Sequence, residues 1–240
     1  MEEFFAELNL INSNVCYENN LVYKAAKLWF ETHPSTEGVH IIVDKQIPSA
    51  AGLAGGSSDA AATLKGLNVL FEQGASISEL QALGVKLGAD VPYCIQLGTA
   101  LSEGIGEVLS ELPPAPALYC VLVKPDKEIS TKYIYEHLSL ADAIHPDIDA
   151  MTDALTTRNI PALCTNLQNI LEPVATELCP EITGIKDELL KLGALGACMS
   201  GSGPTVFGLF SDGNLALEAA EHFEVQGYSE TTFVTKFYQP

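Results

Sequence analysis

Apolar residues recur at helical spacing in several stretches of the chain. Between residues 20 and 31 the apolar positions 21, 25, 28 and 29 fall on one face of a helix, which Asn19 or Asn20 can cap. A second clear start is the capping-box pattern of Ser76 and Glu79, ahead of a helix that Gly88 ends. The predicted helices are 20–31, 59–71, 78–87 and 215–223, with a helical region from 130 to 190 that is interrupted at Pro146 and Pro161.

Runs of β-branched and aromatic residues predict the strands. They span 40–47, 119–124 and 231–237, and 197–210 has the pattern of two strands joined by a glycine turn. The order of elements in the second half is typical of an α+β fold. The Pro-rich stretch 112–116 is the most linker-like, so we predict one domain at 1–114 and another at 115–240.

Composition and charge limit the classes of function. The chain has 240 residues, of which 47% are hydrophobic, so it can bury a core of ordinary size. Its formal net charge of −19 argues against binding to nucleic acid and to anionic membranes, because both need a basic surface. A small anionic ligand held by backbone amides is compatible with this charge.

The sequence also predicts where the protein works. No apolar run reaches the roughly 18 residues of a membrane span, and the acidic start of the chain has the pattern of neither a secretory signal nor a transit peptide. We therefore expect a cytoplasmic protein. The six scattered cysteines have no metal-ligand spacing, and we expect them to be free thiols.

A loop of small residues joins a predicted strand to a predicted helix. Its glycines let a ligand approach the main chain, and the helix that follows offers unpaired N–H groups, which suit a phosphate. We favour this interpretation over a tight connection without function. The loop has neither the lysine of a Walker A motif nor the glycine spacing of a dinucleotide fingerprint. It consists of Pro48, Ser49, Ala50, Ala51, Gly52, Leu53, Ala54, Gly55, Gly56, Ser57 and Ser58.

Two further motifs are ambiguous by themselves. Asp90, in the Leu-Gly-Ala-Asp-Val-Pro segment 87–92, follows a predicted helix and could be a general base or a surface cap. The Met-Ser-Gly-Ser-Gly-Pro segment 199–204 could be an ordinary hairpin turn or could present amides to a ligand.

In this order and at these spacings, the motifs resemble those of the GHMP kinases. Segments 48–62, 87–92, 123–125 and 199–204, together with Glu-Asn-Asn-Leu at 18–21, are most similar to the family that phosphorylates 4-(cytidine 5'-diphospho)-2-C-methyl-D-erythritol. The similarity extends from about residue 17 to residue 237. It implies two domains, an N-terminal one like domain 2 of ribosomal protein S5 and a ferredoxin-like C-terminal one.

The resemblance implies a role for individual residues. Asp90 matches the base that takes the proton of the substrate hydroxyl, and the loop 48–58 matches the segment around the ATP phosphates. Asn20 and Lys45 match positions on the adenine and ribose side, although Lys45 could also be a solvated lysine at a strand end. The implied ligands are ATP, Mg²⁺ held through the phosphates without a metal site of the protein's own, and a cytidine diphosphate sugar alcohol. The positions on the substrate side are Ala89, Asp90, Thr131, Gly201, Ser202 and Gly203.

The first motif of that family, Pro-x-Lys-Ile/Leu-Asn-Leu, has no counterpart here. Segment 6–10 imitates it, but Glu7 stands where the family has lysine, and the spacing to Asn20 is far too short. The resemblance instead implies that 4–10 is a strand further along the family pattern. We therefore expect the family's first strands to be missing, through shortening or divergence, and a sheet edge to be open to association. The alternative functions are another GHMP kinase, of the homoserine or mevalonate type, and a nucleotide-binding module without catalysis.

Overall fold

The computed structural model describes residues 6–11, 17–141, 143–228 and 231–238, which divide into two units. The first unit comprises Met1–Ser49 and Ala54–Glu111, and the second comprises Ala50–Leu53 and Leu112–Pro240. The four residues Ala50–Leu53 of the glycine-rich loop therefore belong with the C-terminal half of the chain. The predicted boundary at 114 stays a prediction.

Four α-helices, the short 3₁₀ helix Tyr17–Asn19 and two small sheets make up the described part of the first unit. Strand β1 pairs with β2 in parallel, and β3 and β4 form an antiparallel hairpin. The core lies where α1 and α2 pack against α3 and α4, around Trp29 and Leu64. The bounds are β1 Ala6–Ile11, α1 Leu21–Thr32, β2 Val39–Asp44, α2 Gly55–Leu70, α3 Ile77–Gly84, α4 Val91–Gln96, β3 Ala100–Glu103 and β4 Val108–Glu111.

The second unit is built on a four-stranded antiparallel sheet in the order β6-β7-β5-β8. This order confirms the predicted ferredoxin-like arrangement. Alternate residues of β5 face opposite sides: Val121 and Val123 join the core with α9 and α10, whereas Cys120 joins the core with α6 and α7. The bounds are β5 Tyr119–Val123, α5 Thr131–His137, α6 Ile148–Thr156, α7 Ile160–Thr165, α8 Glu172–Leu178, α9 Glu181–Lys191, β6 Gly196–Met199, β7 Val206–Phe210, α10 Gly213–Phe223 and β8 Thr232–Lys236.

Most predicted elements are confirmed, with shifted ends. Asn20 caps α1 by accepting from the Val22 amide at 2.9 Å, and Ser76 and Glu79 form the predicted capping box of α3. The strand predicted over 4–10 is present as β1, although residues 4 and 5 lie outside the described residues. The predicted breaks at Pro146 and Pro161 are confirmed: Pro146 lies between α5 and α6, and Pro161 lies in the first turn of α7, after α6 has ended.

Three features were not predicted. Helix α2 starts at Gly55 instead of residue 59, because the first turn of a helix needs helical backbone angles but few side-chain contacts. Helix α4 begins directly after Asp90, so this residue opens one helix instead of only following another. The β3–β4 hairpin is short and mostly exposed, and it therefore lacks the apolar alternation that identifies a strand.

The β1–β2 sheet has two strands, and neither of its outer edges has a strand partner among the described residues. Strand β2 pairs with β1 alone in this part of the chain, and Ile42 on it is 62% exposed. The association expected from an open edge stays a prediction.

The buried layer of the first unit gives a prediction for stability. Leu64 on α2 is fully buried, whereas Leu70 on the same helix is 62% exposed. We expect Leu64→Ala to lower the free energy of unfolding by about 2–5 kcal/mol and Leu70→Ala to change it by less than about 0.5 kcal/mol. Trp29, the only tryptophan of the chain, is buried in the same core, so urea unfolding followed by its fluorescence measures the effect. Equal shifts for the two variants would contradict this assignment of the core.

Candidate active site

The glycine-rich loop has an unusual backbone. Ala50, Gly52 and Ala54 all have positive φ angles, of 50°, 70° and 51°. The left-handed region is unfavourable for an alanine and neutral for a glycine, so two of the three positions adopt it against their local preference. Tertiary contacts must therefore hold this loop in place.

The helix that follows the loop has no side-chain cap. Ala54 is its N-cap residue, and an alanine side chain cannot accept a hydrogen bond. The Ser58 amide donates to the Ala54 carbonyl at 2.8 Å, but the amides of Gly55, Gly56 and Ser57 have no acceptor among the described residues. Three N–H groups and the positive end of the helix dipole are thus free to bind an anion.

The first turn of α2 packs against a side chain at Gly55 and is exposed at Gly56. A Cβ atom on Gly55 would lie 2.9 Å from Cγ2 of Ile47, so the main chain packs directly on this side chain. Gly56 is exposed, and its nearest neighbour is the Leu21 side chain at the start of α1. Asn20, which caps α1, precedes Leu21, so the starts of α1 and α2 are adjacent.

Lys45 is not the solvated strand-end lysine that was one alternative. Its side chain is only 11% exposed, and its ammonium group pairs with the Asp59 carboxylate in α2. A Cβ atom on Gly55 would lie 3.6 Å from Nζ of Lys45, which places the ammonium group beside the first turn of the helix. Lys45 therefore brings a positive charge to the free amides and offsets the charge of Asp59.

Asp90 is exposed at the N-cap position of α4. Its side chain makes no capping hydrogen bond to this helix. The hairpin between β3 and β4 lies against the preceding residue, because a Cβ atom on Gly106 would come within 2.8 Å of the Ala89 carbonyl oxygen. The Asp90 side chain is thus not used for capping, and the main chain next to it is in close contact with the β3–β4 hairpin.

Burial near Asp90 also affects a cysteine. The Cys94 thiol on α4 is partly buried, and this burial, together with the charge of Asp90, raises its pKa to about 11. Among the described cysteines, all five are free thiols, as predicted. Cys16 lies outside the described residues. A thiol with so high a pKa stays protonated at neutral pH and is a poor nucleophile.

In the second unit, the loop segment Ala50–Leu53 packs on the turn between β6 and β7. The Ser200 hydroxyl donates to the Gly52 carbonyl at 2.8 Å. A Cβ atom on Gly52 would lie 2.3 Å from the Ser200 carbonyl oxygen and 3.0 Å from the Gly203 amide nitrogen. A Cβ atom on Gly201 would in turn approach the Gly52 carbonyl oxygen to 2.9 Å. Only glycine fits at this contact, on both sides.

The same turn reaches a second predicted residue. The hydroxyl of Ser202 lies 2.7 Å from that of Thr131, the first residue of α5. The structure thus brings together Gly52, Thr131 and the turn 201–203, all of them predicted site residues of the second unit. The 199–204 turn connects two antiparallel strands, as in an ordinary hairpin, but its residues also contact Gly52 and Thr131.

Three contact residues were missed by the sequence analysis. Ser200 lies inside the quoted 199–204 motif but was not selected. Asn169 donates through Nδ2 to the carbonyls of Met199 and Gly201, and Glu172 accepts from the Met199 amide. The only sequence signal for Asn169 and Glu172 is their spacing of three residues, with Pro173 directly after Glu172. This pattern is common at helix starts.

The described residues contain neither a metal cluster nor a membrane-spanning helix. No group of three or more His, Cys, Asp or Glu side chains in this part of the chain is arranged to hold a metal ion. None of the helices in the described ranges combines the length and apolar character needed to cross a membrane.

Two protein-family models match the chain, one in each half. The GHMP kinases N terminal domain matches residues 20–98, and the GHMP kinases C terminal domain matches residues 143–228. A 4-diphosphocytidyl-2-C-methyl-D-erythritol kinase of Lachnoclostridium phytofermentans is 52% identical over 223 residues, which make up 92% of this chain and 77% of that relative.

Solved structures of kinases also match the chain. A crystal structure of 4-(cytidine 5'-diphospho)-2C-methyl-D-erythritol kinase matches 99% of this chain and 85% of its own, with a TM-score of 0.82 and 32% identity. A homoserine kinase from Cytophaga hutchinsonii matches 99% of this chain and 83% of its own, with a TM-score of 0.81 and 21% identity, and shows the fold alone. These matches confirm the predicted two-domain fold and the prediction of an ATP-dependent small-molecule kinase. The chain belongs to the GHMP kinases, and within them to the 4-diphosphocytidyl-2-C-methyl-D-erythritol kinase family.

Proposed function

We propose that the chain transfers the γ-phosphoryl group of ATP to the 2-hydroxyl of 4-(cytidine 5'-diphospho)-2-C-methyl-D-erythritol. The observation that carries this proposal is the 52% identity to a relative named for that substrate, over 92% of the chain. The motifs at 48–62, 87–92 and 199–204 support it. A cytoplasmic location stays a prediction.

The ATP phosphates are proposed to bind at the start of α2. The three free amides of Gly55, Gly56 and Ser57 support this placement, because they present donors and the positive helix end without a side chain in between. Lys45 adds one positive charge beside them. Such a site needs few basic residues, which fits a chain that has only 12 lysines and arginines against 31 acidic residues.

Asp90 is proposed to accept the proton of the attacking hydroxyl. Its exposure and its lack of a capping hydrogen bond support this role, because a base must be free to contact the substrate. Phosphoryl transfer depends mainly on positioning and charge stabilisation, so a base held by a packed backbone is sufficient.

Mg²⁺ is proposed to be held through the phosphates and not by a cluster of carboxylates. The donors near the start of α2 fit this arrangement: they are backbone amides and hydroxyls, and the nearby Asp59 is already paired with Lys45. When bound, the ion would neutralise charge on the phosphates. Ala89, Thr131, Gly201, Ser202 and Gly203 are proposed to line the substrate side.

A coupled assay of ADP release tests the whole proposal. With ATP and Mg²⁺, we expect turnover with the cytidyl substrate and none above background with homoserine or mevalonate. ADP release with one of those acceptors would assign the chain to another branch of the GHMP kinases. ATP binding without release of ADP from any acceptor would favour a binding module without catalysis.

Replacement of the proposed base should affect the chemical step. We expect Asp90→Asn to lower kcat by about 10²–10⁴-fold while the dissociation constant of ATP changes little, because an amide cannot accept the hydroxyl proton. The matched control is Asp153→Asn, which alters an exposed aspartate of α6. Steady-state kinetics and calorimetric titration with ATP measure both quantities. Full activity of the Asp90 variant would rule this residue out as the base.

Gly52 offers a test of the loop. Gly52→Ala places a methyl group 2.3 Å from the Ser200 carbonyl oxygen, so we expect the loop to move and kcat/KM for ATP to fall about 10–100-fold, as for 1–3 kcal/mol of overpacking. Gly74→Ala is the control, since Gly74 has a similar φ of 67° but no neighbour within 4 Å. The Gly74→Ala variant therefore has the unfavourable φ angle of Gly52→Ala but no steric clash. Equal losses in the two variants would mean that strain alone, and not the contact with the turn, is responsible.

A further inference from the structure

The turn between β6 and β7 is held from one side by the segment 169–172. Asn169 donates from Nδ2 to the Met199 carbonyl at 2.9 Å and to the Gly201 carbonyl at 2.8 Å. Glu172 accepts from the Met199 amide at 3.1 Å through Oε2. Two side chains thus make three hydrogen bonds to the main chain at the point where β6 ends and the turn begins.

The orientation of the Asn169 amide is determined by its partners. Its Oδ1 accepts from the Leu171 N–H at 2.9 Å, and a backbone N–H can only donate. Its Nδ2 faces two carbonyl oxygens, which can only accept. An aspartate at this position could keep the bond to Leu171, but its second oxygen would face the carbonyls of Met199 and Gly201 and repel them.

Glu172 is held as firmly as Asn169. Its Oε1 pairs with the ammonium group of Lys186, while Oε2 holds the Met199 amide. Glu172 is the first residue of α8 and Lys186 lies in α9, so the ion pair ties the end of β6 to two helices. A carboxylate at the first residue of a helix is also favoured by the helix dipole.

The opposite side of the turn contacts the two predicted ligand segments of the second unit. Ser200 donates to the Gly52 carbonyl, and Ser202 lies within hydrogen-bond distance of Thr131. The contact at Gly52 has no spare room, since a Cβ atom there would lie 2.3 Å from a carbonyl oxygen. A displacement of the turn must therefore change the position of Gly52.

We infer that Asn169 and Glu172 are positioning residues that hold the Met199–Gly203 turn in the conformation which seats Gly52 of the glycine-rich loop. This inference rests on the proposed function, because it matters for catalysis only if that loop binds ATP. Neither residue needs to touch a ligand. Each acts through the turn, and the turn acts through the Ser200–Gly52 contact.

The isosteric change Asn169→Asp tests the inference. Asn166→Asp is the control, because the Asn166 amide also donates to a main-chain carbonyl, that of Ala162, but away from the turn. We expect only the Asn169 variant to raise KM for ATP, by about tenfold, as for the loss of hydrogen bonds to a repelled carbonyl. Both variants should keep similar melting temperatures, so that a general loss of stability would not explain the difference.

Hydrogen–deuterium exchange gives a readout that needs no activity. In the Asn169 variant we expect faster exchange in peptides that cover 199–203 and also in those that cover 50–53. If the 50–53 peptides exchange at the same rate as in the unsubstituted chain, the turn does not position the loop, and the inference is overturned. If the unsubstituted chain neither binds ATP nor releases ADP, the proposed function fails, whereas the exchange result still decides the positioning role.

A second pair of variants at Glu172 covers the case in which the Asn169 variant does not fold. Glu172→Gln keeps an oxygen that can accept from the Met199 amide, and Glu172→Ala removes it. We expect the Gln variant to retain the exchange pattern and KM for ATP within about twofold, and the Ala variant to change both as Asn169→Asp does. Equal behaviour of Gln and Ala would overturn the role of this hydrogen bond.

Discussion

The close contact between Gly52 and the Ser200–Gly203 turn is the constraint on which the glycine-rich loop depends. The loop adopts left-handed backbone angles at Ala50 and Ala54, where a free chain would avoid them. Main chain meets main chain at Gly52, and the Ser200 hydroxyl bonds to its carbonyl. Because glycine is needed at both Gly52 and Gly201, the two motifs are linked although they lie almost 150 positions apart in the sequence.

An acidic protein that handles phosphates must solve an electrostatic problem. The chain carries a formal net charge of −19, and its proposed ligands are anionic. Free amides at the start of α2 provide attraction without adding charged side chains, and the Ala54 N-cap leaves them uncovered. Lys45 and Asp59 form an ion pair next to these amides. The positive charge of Lys45 therefore offsets the repulsion between the Asp59 carboxylate and a bound phosphate.

The order of the layers explains why the sites are made of turns and helix starts. In the second unit the sheet is covered by α9 and α10 on one face and by α6 and α7 on the other, which leaves the strand ends available. Asn169, in the connection before α8, and Glu172, the first residue of α8, hold one of these ends. In the first unit, α2 and α4 contribute buried residues to one core, whereas Gly56 and Asp90 at their starts are exposed. The packed layers therefore hold the strand ends and helix starts from which the site loops extend.

The sequence by itself determined most of the fold, because periodicity, caps and turns are local. The spacing of apolar residues identified α1, the Ser76–Glu79 box identified α3, and the glycine turn with its flanking strands identified the β6–β7 pair. The motifs at 48–62, 87–92 and 199–204 were sufficient to identify the family. Only the tertiary structure decided that Lys45 pairs with Asp59, that the Asp90 side chain does not cap its helix and that Asn169 holds the turn. These are contacts between residues 14 to more than 30 positions apart, or choices between two roles of one side chain, and both depend on how the elements pack.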